Sequence, residues 1–268
     1  MASLSLTPDG VGLYACQWHH RLGLDTLQVE GHAVRYSLAG GAFKCLMKGR
    51  DNDTSDLSLP RDLDLWPHDE GSRAALNAHF ERDTRFTKVR VNQFHTCFKM
   101  NIDPSPSACG AQIRPGSVDI EVVHKIHTSV EDVCSGFDLV ISCVGVQFGG
   151  GGKGATPPSP PHSVYMHPSL PHDILSNTVS LVMPMPNRPF MLVSYNRVIK
   201  YARDLRYMSN DSTPAEDPSV KASLAHIRSI YQRSSEEERA TYLSNYAWVV
   251  GDNLESVGRM SELTSTWV

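Results

Sequence analysis

The sequence predicts an α/β protein in which a mixed sheet with flanking helices is followed by a mainly helical C-terminal region. In the first half of the chain, short apolar or alternating runs typical of strands are interspersed with segments of helical periodicity. In the second half, several segments of helical periodicity follow one another. A stretch rich in glycine and proline lies between the two halves and predicts a linker.

The composition is that of an ordinary globular protein. The chain has 268 residues, of which 40% are hydrophobic and 20% charged, so one large or two small domains are expected. A net charge of −4 gives no general attraction to nucleic acid, and any such contact requires a local basic patch. Six scattered cysteines predict reduced thiols. The sequence leaves the oligomeric state open.

Targeting and membrane segments are not expected. The N-terminal residues Met1–Pro8 do not combine a basic region with an apolar core, which a signal peptide requires. The apolar runs fall short of the roughly 20 residues that a spanning helix needs. We therefore expect a cytoplasmic protein without a membrane partner.

A strand and a glycine turn are predicted near the N-terminus. Residues 11–16 suit a short strand, and residues 18–24 suit a turn or helix. Residues 33–39 form a clearer strand pattern, which Gly40 and Gly41 interrupt, and residues 42–48 then follow helical periodicity.

The next strand carries the first candidate site residues. Residues 51–59 are polar and predict a loop. Residues 62–66 alternate, so that Asp62 and Asp64 share one face of a strand while the intervening leucines occupy the other.

The remaining elements complete the predicted sheet and the helical region. Asp119 and Glu121 share a face of their strand, and Ser235 with Glu238 forms a capping box. The further predicted strands are 87–91, 95–102, 118–123 and 138–146, and the predicted helices are 70–83, 129–134, 196–208, 220–233 and 235–248. The predicted domains are a head at 1–148, a linker or loop at 149–162 and a helical region at 163–268.

Four glycines beside Lys153 allow a second interpretation of the linker, as a phosphate-binding loop. Such a loop needs Gly-Lys-Ser/Thr at the start of a helix. Here Lys153 is followed by Gly-Ala-Thr and then prolines, which cannot continue a helix, so a linker or mobile loop is favoured.

A glycine turn, an Asp-x-Asp strand and a later acidic strand suit metal-assisted transfer of a nucleotide. Asp62 and Asp64 offer oxygen ligands to Mg²⁺, and a carboxylate from a neighbouring strand can bridge a second ion. Two such ions stabilise the attacking and leaving oxygens of an in-line displacement. Gly40 and Gly41 let phosphates approach the backbone.

These segments resemble a known superfamily. Residues 38–50, Leu-Ala-Gly-Gly-Ala-Phe-Lys-Cys-Leu-Met-Lys-Gly-Arg, followed by residues 61–66, Arg-Asp-Leu-Asp-Leu-Trp, are similar to the head of DNA polymerase β-like nucleotidyltransferases. The nearest likeness is to tRNA nucleotidyltransferases and poly(A) polymerases. A vaguer similarity, at residues 136–139 and 196–203, is to nucleotidyltransferase-like proteins that include viral ones.

The resemblance implies roles for individual residues. Asp62 and Asp64 would be catalytic ligands of Mg²⁺ (or Mn²⁺), with Asp119 as the third ligand and Glu121 as its alternative. Gly40, Gly41 and Lys44 would contact the nucleoside triphosphate (NTP). The spacing from Gly41 to Asp62 is longer than in the family.

Other interpretations of the same residues stay open. Asp119 also suits a surface position on a strand, and Lys88 and Arg90 could meet a triphosphate. The basic residues from Arg197 to Arg206 suit a solvated helix face better than a nucleic-acid track, because a spacing of three drifts round a helix.

The sequence predicts a Mg²⁺-dependent nucleotidyltransferase that moves a nucleoside monophosphate from an NTP to a hydroxyl. The acceptor could be an RNA end, a protein or a small molecule. The alternative is a catalytically inactive member of the same fold, with a viral origin left open, that serves as a binding or structural protein.

Overall fold

The computed structural model describes residues 6–48, 60–102, 116–149, 163–251 and 253–268. The predicted loop at 51–59, most of the predicted linker at 149–162, and Gly49 and Arg50 of the motif segment lie outside these ranges. The described residues divide into two compact units. Unit 1 comprises residues 1–135 and 142–167, and unit 2 comprises residues 136–141 and 168–268.

Unit 1 is built on a mixed sheet, as predicted. Among the described residues, seven strands follow the order β5-β6-β7-β4-β3-β8-β9, and a separate hairpin pairs β1 with β2. Strands β4 and β7 are parallel, and the other neighbouring pairs are antiparallel. The strands are β1 (Gln28–Val29), β2 (His32–Ala33), β3 (Tyr36–Ala39), β4 (Asp62–Pro67), β5 (Phe86–Val91), β6 (His95–Ile102), β7 (Gly116–Val123), β8 (Val144–Phe148) and β9 (Ser163–Met166).

Helices cover parts of both faces of this sheet. The helices of unit 1 are α1 (Pro8–Arg21), α2 (Lys44–Lys48), α3 (Glu70–Arg82) and α4 (Val130–Ser135). Helix α3 packs on one face, where the rings of Phe80 and Phe98 lie 5.4 Å apart. Helix α4 packs on the other face at Gly145, where an added Cβ would lie 2.7 Å from Val130 Cγ2. Glycine therefore allows the close approach of helix and strand.

The prediction of a strand at 11–16 is wrong, because these residues belong to α1. Thr7 caps the helix by accepting a hydrogen bond from the Gly10 amide, and Pro8 occupies its first turn. The buried residues Val11, Tyr14 and Trp18 recur at helical spacing. Residues 11–16, Val-Gly-Leu-Tyr-Ala-Cys, form a short apolar run, and such a run cannot be assigned to a strand or a helix by periodicity alone.

The predicted strand at 138–146 is also wrong in part. Residues Val140–Ser142 form a 3₁₀ turn, and β8 begins only at Val144. The preceding carboxylate, Asp138, is buried in unit 2, where it accepts hydrogen bonds from Ser194 Oγ at 2.6 Å and from Arg197 Nη1 at 3.1 Å. This apolar segment is divided between the two units, and periodicity alone cannot distinguish such a segment from one long strand.

Unit 2 is mainly helical, as predicted. Its helices are α5 (Leu170–Ser176), α6 (Met191–Asp204), α7 (Lys221–Arg233), α8 (Glu236–Val250) and α9 (Leu254–Ser265). The predicted capping box is present, since Glu238 donates its amide to Ser235 Oγ while its carboxylate accepts from the Ser235 amide. The Trp267 ring lies 5.1 Å from that of Tyr195 and 5.4 Å from that of Tyr231, forming an aromatic core. In the described part of the chain, no helix is long and apolar enough to cross a membrane.

Candidate active site

The two aspartates of β4 lie on one face of the central sheet, as predicted. Asp62 and Asp64 are half-buried, whereas Leu63 and Leu65 on the opposite face have no exposed surface. The apolar face is covered by α3, and the acidic face lies on the other side of the strand. Alternation along β4 therefore directs both carboxylates to the same side.

Strand β7 brings two more carboxylates to this face. In the parallel pair, Asp119 lies opposite Asp62 and Glu121 lies opposite Asp64. Neighbouring strands are about 4.8 Å apart, so the four carboxylates form a compact group at the centre of the sheet. We call these four residues the acidic face.

The glycine turn lies beside the acidic face. Ala39, the last residue of β3, pairs with Asp64, and the chain then enters a 3₁₀ turn at Gly40–Phe43. Gly40 has φ of 83°, a left-handed conformation that favours glycine. The helical segment predicted at 42–48 is present as this turn followed by the short helix α2. Lys44 is half-buried at its start and engages other groups of the chain.

Basic side chains contact the carboxylates of β7. Arg90 Nη2 donates a hydrogen bond to Glu121 Oε1 at 2.7 Å, and His95 Nδ1 lies 3.3 Å from Glu121 Oε2. Lys99 Nζ is 3.8 Å from Asp119 Oδ1. The hydrogen bond to Glu121 raises the pKa of the Arg90 guanidinium, and burial lowers the pKa of His95. Both carboxylates of β7 thus have cationic neighbours.

Lys88 and Arg90, both proposed from the sequence as triphosphate contacts, point in different directions. Lys88 Nζ pairs with Glu81 of α3 at 2.6 Å, on the apolar side of the sheet, whereas Arg90 reaches the acidic face. Lys99 and His95 were not predicted as site residues from the sequence. They are separated by an even number of positions on β6, and this spacing places both side chains on one face of the strand. Arg197, from the basic segment of unit 2, pairs with Asp138 at 3.1 Å.

The acidic face does not form a complete metal cage. Within the described ranges, no group of three or more His, Cys, Asp or Glu side chains is arranged to hold a metal ion. Mg²⁺ commonly takes only one or two protein carboxylates and completes its shell with water and substrate phosphates. Asp62 and Asp64, as hard oxygen donors on one face, fit that mode of binding.

Comparison with known proteins gives a limited result. No protein-family model matches the sequence, and no curated protein matches it significantly. Similar solved structures include the Thermotoga maritima CCA-adding enzyme complexed with tRNA, at 11% identity and a TM-score of 0.40 over 96% of this chain and 51% of that chain. Another is a CCA-adding enzyme complexed with ATP, at 11% identity and a TM-score of 0.44 over 96% and 51% of the two chains.

A third is the Bacillus stearothermophilus CCA-adding enzyme in complex with CTP, at 13% identity and a TM-score of 0.40, covering 86% of this chain and 50% of that chain. The chain spans about half the length of these solved chains. At this degree of similarity, the comparisons assign no activity, substrate or site residue to this chain.

Proposed function

We propose that this chain is a nucleotidyltransferase that binds an NTP together with Mg²⁺ (or Mn²⁺) on the acidic face and transfers a nucleoside monophosphate to a hydroxyl. One observation carries the proposal: Asp62 and Asp64 share one face of β4, in register with Asp119, beside the Gly40 turn. This arrangement supports cation binding on one side and phosphate approach on the other. The RNA end, protein side chain and small molecule remain the candidate acceptors.

The charge balance of the acidic face supports a role for a cation. Its four carboxylates carry a charge of −4 when ionised, and Arg90 and Lys99 supply two positive charges beside β7. The carboxylates thus outnumber these two cations, and a bound divalent cation would offset negative charge that Arg90 and Lys99 leave on the face.

The residues of the chain have separate roles in this proposal. Asp62 and Asp64 would hold the cation, Asp119 is the candidate third ligand on β7, and the backbone at Gly40 and Gly41 would leave room for the phosphates. The bound cation would stabilise negative charge on the phosphates. The oxygen of the acceptor hydroxyl attacks the α-phosphorus and gives up its proton to solvent water. The bond between the α-phosphorus and the pyrophosphate oxygen breaks, and pyrophosphate leaves with the electron pair of that bond. Positioning of the two substrates supplies much of the rate.

The alternative is a catalytically inactive protein of the same fold that serves in binding or structure. The ion pairs of Asp119 and Glu121 with Lys99 and Arg90 favour it, because those contacts occupy the carboxylates of β7. The two functions differ in whether the acidic face binds a cation with an NTP.

The test is a calorimetric titration of each NTP in the presence and absence of Mg²⁺. The variant is Asp62→Asn/Asp64→Asn, and Glu236→Gln/Glu237→Gln is a control that removes the same charge from an exposed helix start. We expect Mg²⁺-dependent NTP binding in the native chain and the control, and its loss in the Asp62/Asp64 variant. Labelled-NTP transfer onto RNA, protein and small-molecule acceptors then identifies the acceptor.

Absence of NTP binding in a folded native chain would exclude the enzyme and leave the inactive fold. Binding without transfer to any acceptor class would favour a nucleotide-binding protein. Binding that persists in the Asp62/Asp64 variant would place the nucleotide elsewhere on the molecule.

A further inference from the structure

The glycine turn at Gly40–Phe43 has little local structure to fix its conformation. It is a 3₁₀ helix of four residues, and Ala39, which precedes it, makes no side-chain cap. The helix that follows, α2, has only five residues. Helices as short as these are not stable on their own. The conformation of the turn therefore depends on the elements that it packs against.

Helix α1 contacts the end of the turn through Tyr14. The Tyr14 ring lies 5.7 Å from the ring of Phe43, the last residue of the turn, with an angle of 59° between the two planes. Phe43 has no exposed surface, and Tyr14 is 4% exposed. Paired aromatic rings stabilise a preferred relative orientation in addition to the area that they bury. This contact therefore fixes the end of the turn against α1.

The same helix also contacts the strand that leads into the turn. His19 Nδ1 and the hydroxyl of Tyr36, the first residue of β3, share a buried hydrogen bond of 2.7 Å. The His19 ring also stacks on Phe148 of β8, with the ring centres 4.5 Å apart. Helix α1 therefore contacts the segment from Tyr36 to Phe43 at both of its ends, by a hydrogen bond at one end and by an aromatic pair at the other.

The contact of α1 with β3 lies on the face of the sheet opposite the carboxylates. Ala39 pairs with Asp64, and Tyr36 pairs with Pro67. Asp64 and Pro67 are three residues apart on β4, so their side chains lie on opposite faces of the sheet, and the side chains of their partners do the same. Helix α1 therefore supports β3 without competing with a ligand for the acidic face.

We propose that Tyr14 is a positioning residue for NTP binding, which keeps the backbone of Gly40 and Gly41 in the conformation that admits the phosphates. This inference rests on the proposed function, because that function places the phosphates at this turn. Phe43 lies only three residues after Gly40, whose φ is 83°, so a shift of the Phe43 ring changes the path of the intervening backbone. A turn that is already ordered loses less conformational freedom when the ligand binds, and the affinity is higher for that reason.

The test compares Tyr14→Leu, which removes the ring, with Tyr14→Phe, which removes only the hydroxyl. Within the described ranges, this hydroxyl makes no hydrogen bond. Phe80→Leu is the control, because it removes a buried ring from another part of unit 1, where Phe80 of α3 contacts Phe98 of β6 at 5.4 Å. Phe43→Leu removes the ring on the other side of the proposed contact.

Two quantities are measured for each variant at a temperature where thermal unfolding shows that it is folded. The first is the affinity for each NTP in the presence of Mg²⁺, by calorimetric titration. The second is the rate of hydrogen exchange in a peptide that covers residues 36–48, without nucleotide. The exchange rate reports the order of the turn whether or not an NTP binds.

Tyr14→Leu should weaken NTP binding by about three- to tenfold, because the turn must then be ordered on binding. It should also accelerate exchange of residues 36–48 by about the same factor. Tyr14→Phe should stay within about twofold of the native chain in both measurements, because the ring contact is retained. Phe80→Leu should lower the unfolding temperature but leave the NTP affinity and the exchange of residues 36–48 unchanged.

Native affinity and native exchange in Tyr14→Leu would overturn the inference. An equal loss of affinity in Phe80→Leu would also overturn it, because general destabilisation of unit 1 would then explain the effect. If Tyr14→Leu does not fold, Phe43→Leu decides by the same two measurements. Absence of NTP binding in the native chain would instead contradict the proposed function, which distinguishes that failure from an unchanged affinity in Tyr14→Leu.

Discussion

Asp62 lies directly opposite Asp119 across the parallel strands β4 and β7. Like charges facing each other in a sheet destabilise it, and this pair is reinforced by Asp64 and Glu121 one step further along the same strands. Like charges that face each other at the centre of a sheet are typical of binding sites, where the residue type serves ligand binding and not the stability of the fold. This pairing leads to the first prediction.

Asp62→Asn should stabilise the chain in the absence of divalent cations. Removal of one charge relieves the repulsion with Asp119, and we expect the free energy of unfolding to rise by about 0.2–1 kcal/mol at low salt. Urea denaturation followed by tryptophan fluorescence measures the change. The gain should shrink at high ionic strength and in Mg²⁺, and Glu237→Gln, on an exposed helix start, should give none. A loss of stability in Asp62→Asn would show that the carboxylate has a structural partner.

Gly40→Ala should destabilise unit 1, whereas Gly41→Ala should have little effect on stability. Gly40 has φ of 83°, a conformation that costs a side-chain-bearing residue about 1–2 kcal/mol, and Gly41 is not among the glycines with positive φ. Chemical denaturation of the two variants in parallel provides the measurement. Equal losses would mean that steric crowding, and not backbone conformation, requires glycine at this turn.

The stability of unit 1 should fall in mildly acidic solution. Burial lowers the pKa of His19, His68 and His127. Each binds fewer protons in the folded chain than in the unfolded one. The stabilisation that each neutral histidine contributes is therefore fully present above a pH of about 6.5, its pKa in the unfolded chain. This stabilisation is lost as the pH falls through the lower pKa of the same histidine in the folded chain.

Thermal unfolding from pH 8 to pH 5 measures this dependence. His68→Asn should flatten the decline, because His68 hydrogen-bonds to Ser37 Oγ at 2.8 Å in a buried position. His20→Asn is the control, since the His20 side chain is 82% exposed. A decline that is equally steep in His68→Asn and the native chain would assign the acid sensitivity to other groups.

Asp138→Ala should destabilise unit 2 by about 2–4 kcal/mol, because it leaves a buried hydroxyl without its acceptor. Ser194, which donates to Asp138 at 2.6 Å, is 1% exposed, and Arg197 loses its partner as well. Hydrogen exchange of α6 peptides reports the effect locally. Asp211→Ala, at an exposed turn, should leave exchange unchanged. Native protection of α6 in Asp138→Ala would mean that packing alone holds the helix.

Much of the local structure could be predicted from the sequence, because it depends on neighbours along the chain. Short-range periodicity predicts strand β4 with both aspartates on one face. Residue type predicts the break at Gly40 and the capping box at Ser235. The first half of α1 was predicted as a strand because residues 11–16 are a continuous apolar run that is too short to show the helical period.

The sequence alone determined that Asp62 and Asp64 share a face, since alternation along one strand requires it. Only the tertiary structure decided that Asp119 lies beside Asp62 and that Arg90 faces Glu121. Register between strands depends on pairing across distant parts of the chain, and one extra residue at Val89 reverses the direction of every side chain beyond it. The carboxylates were therefore identifiable from local pattern, whereas their partners depended on the folded sheet.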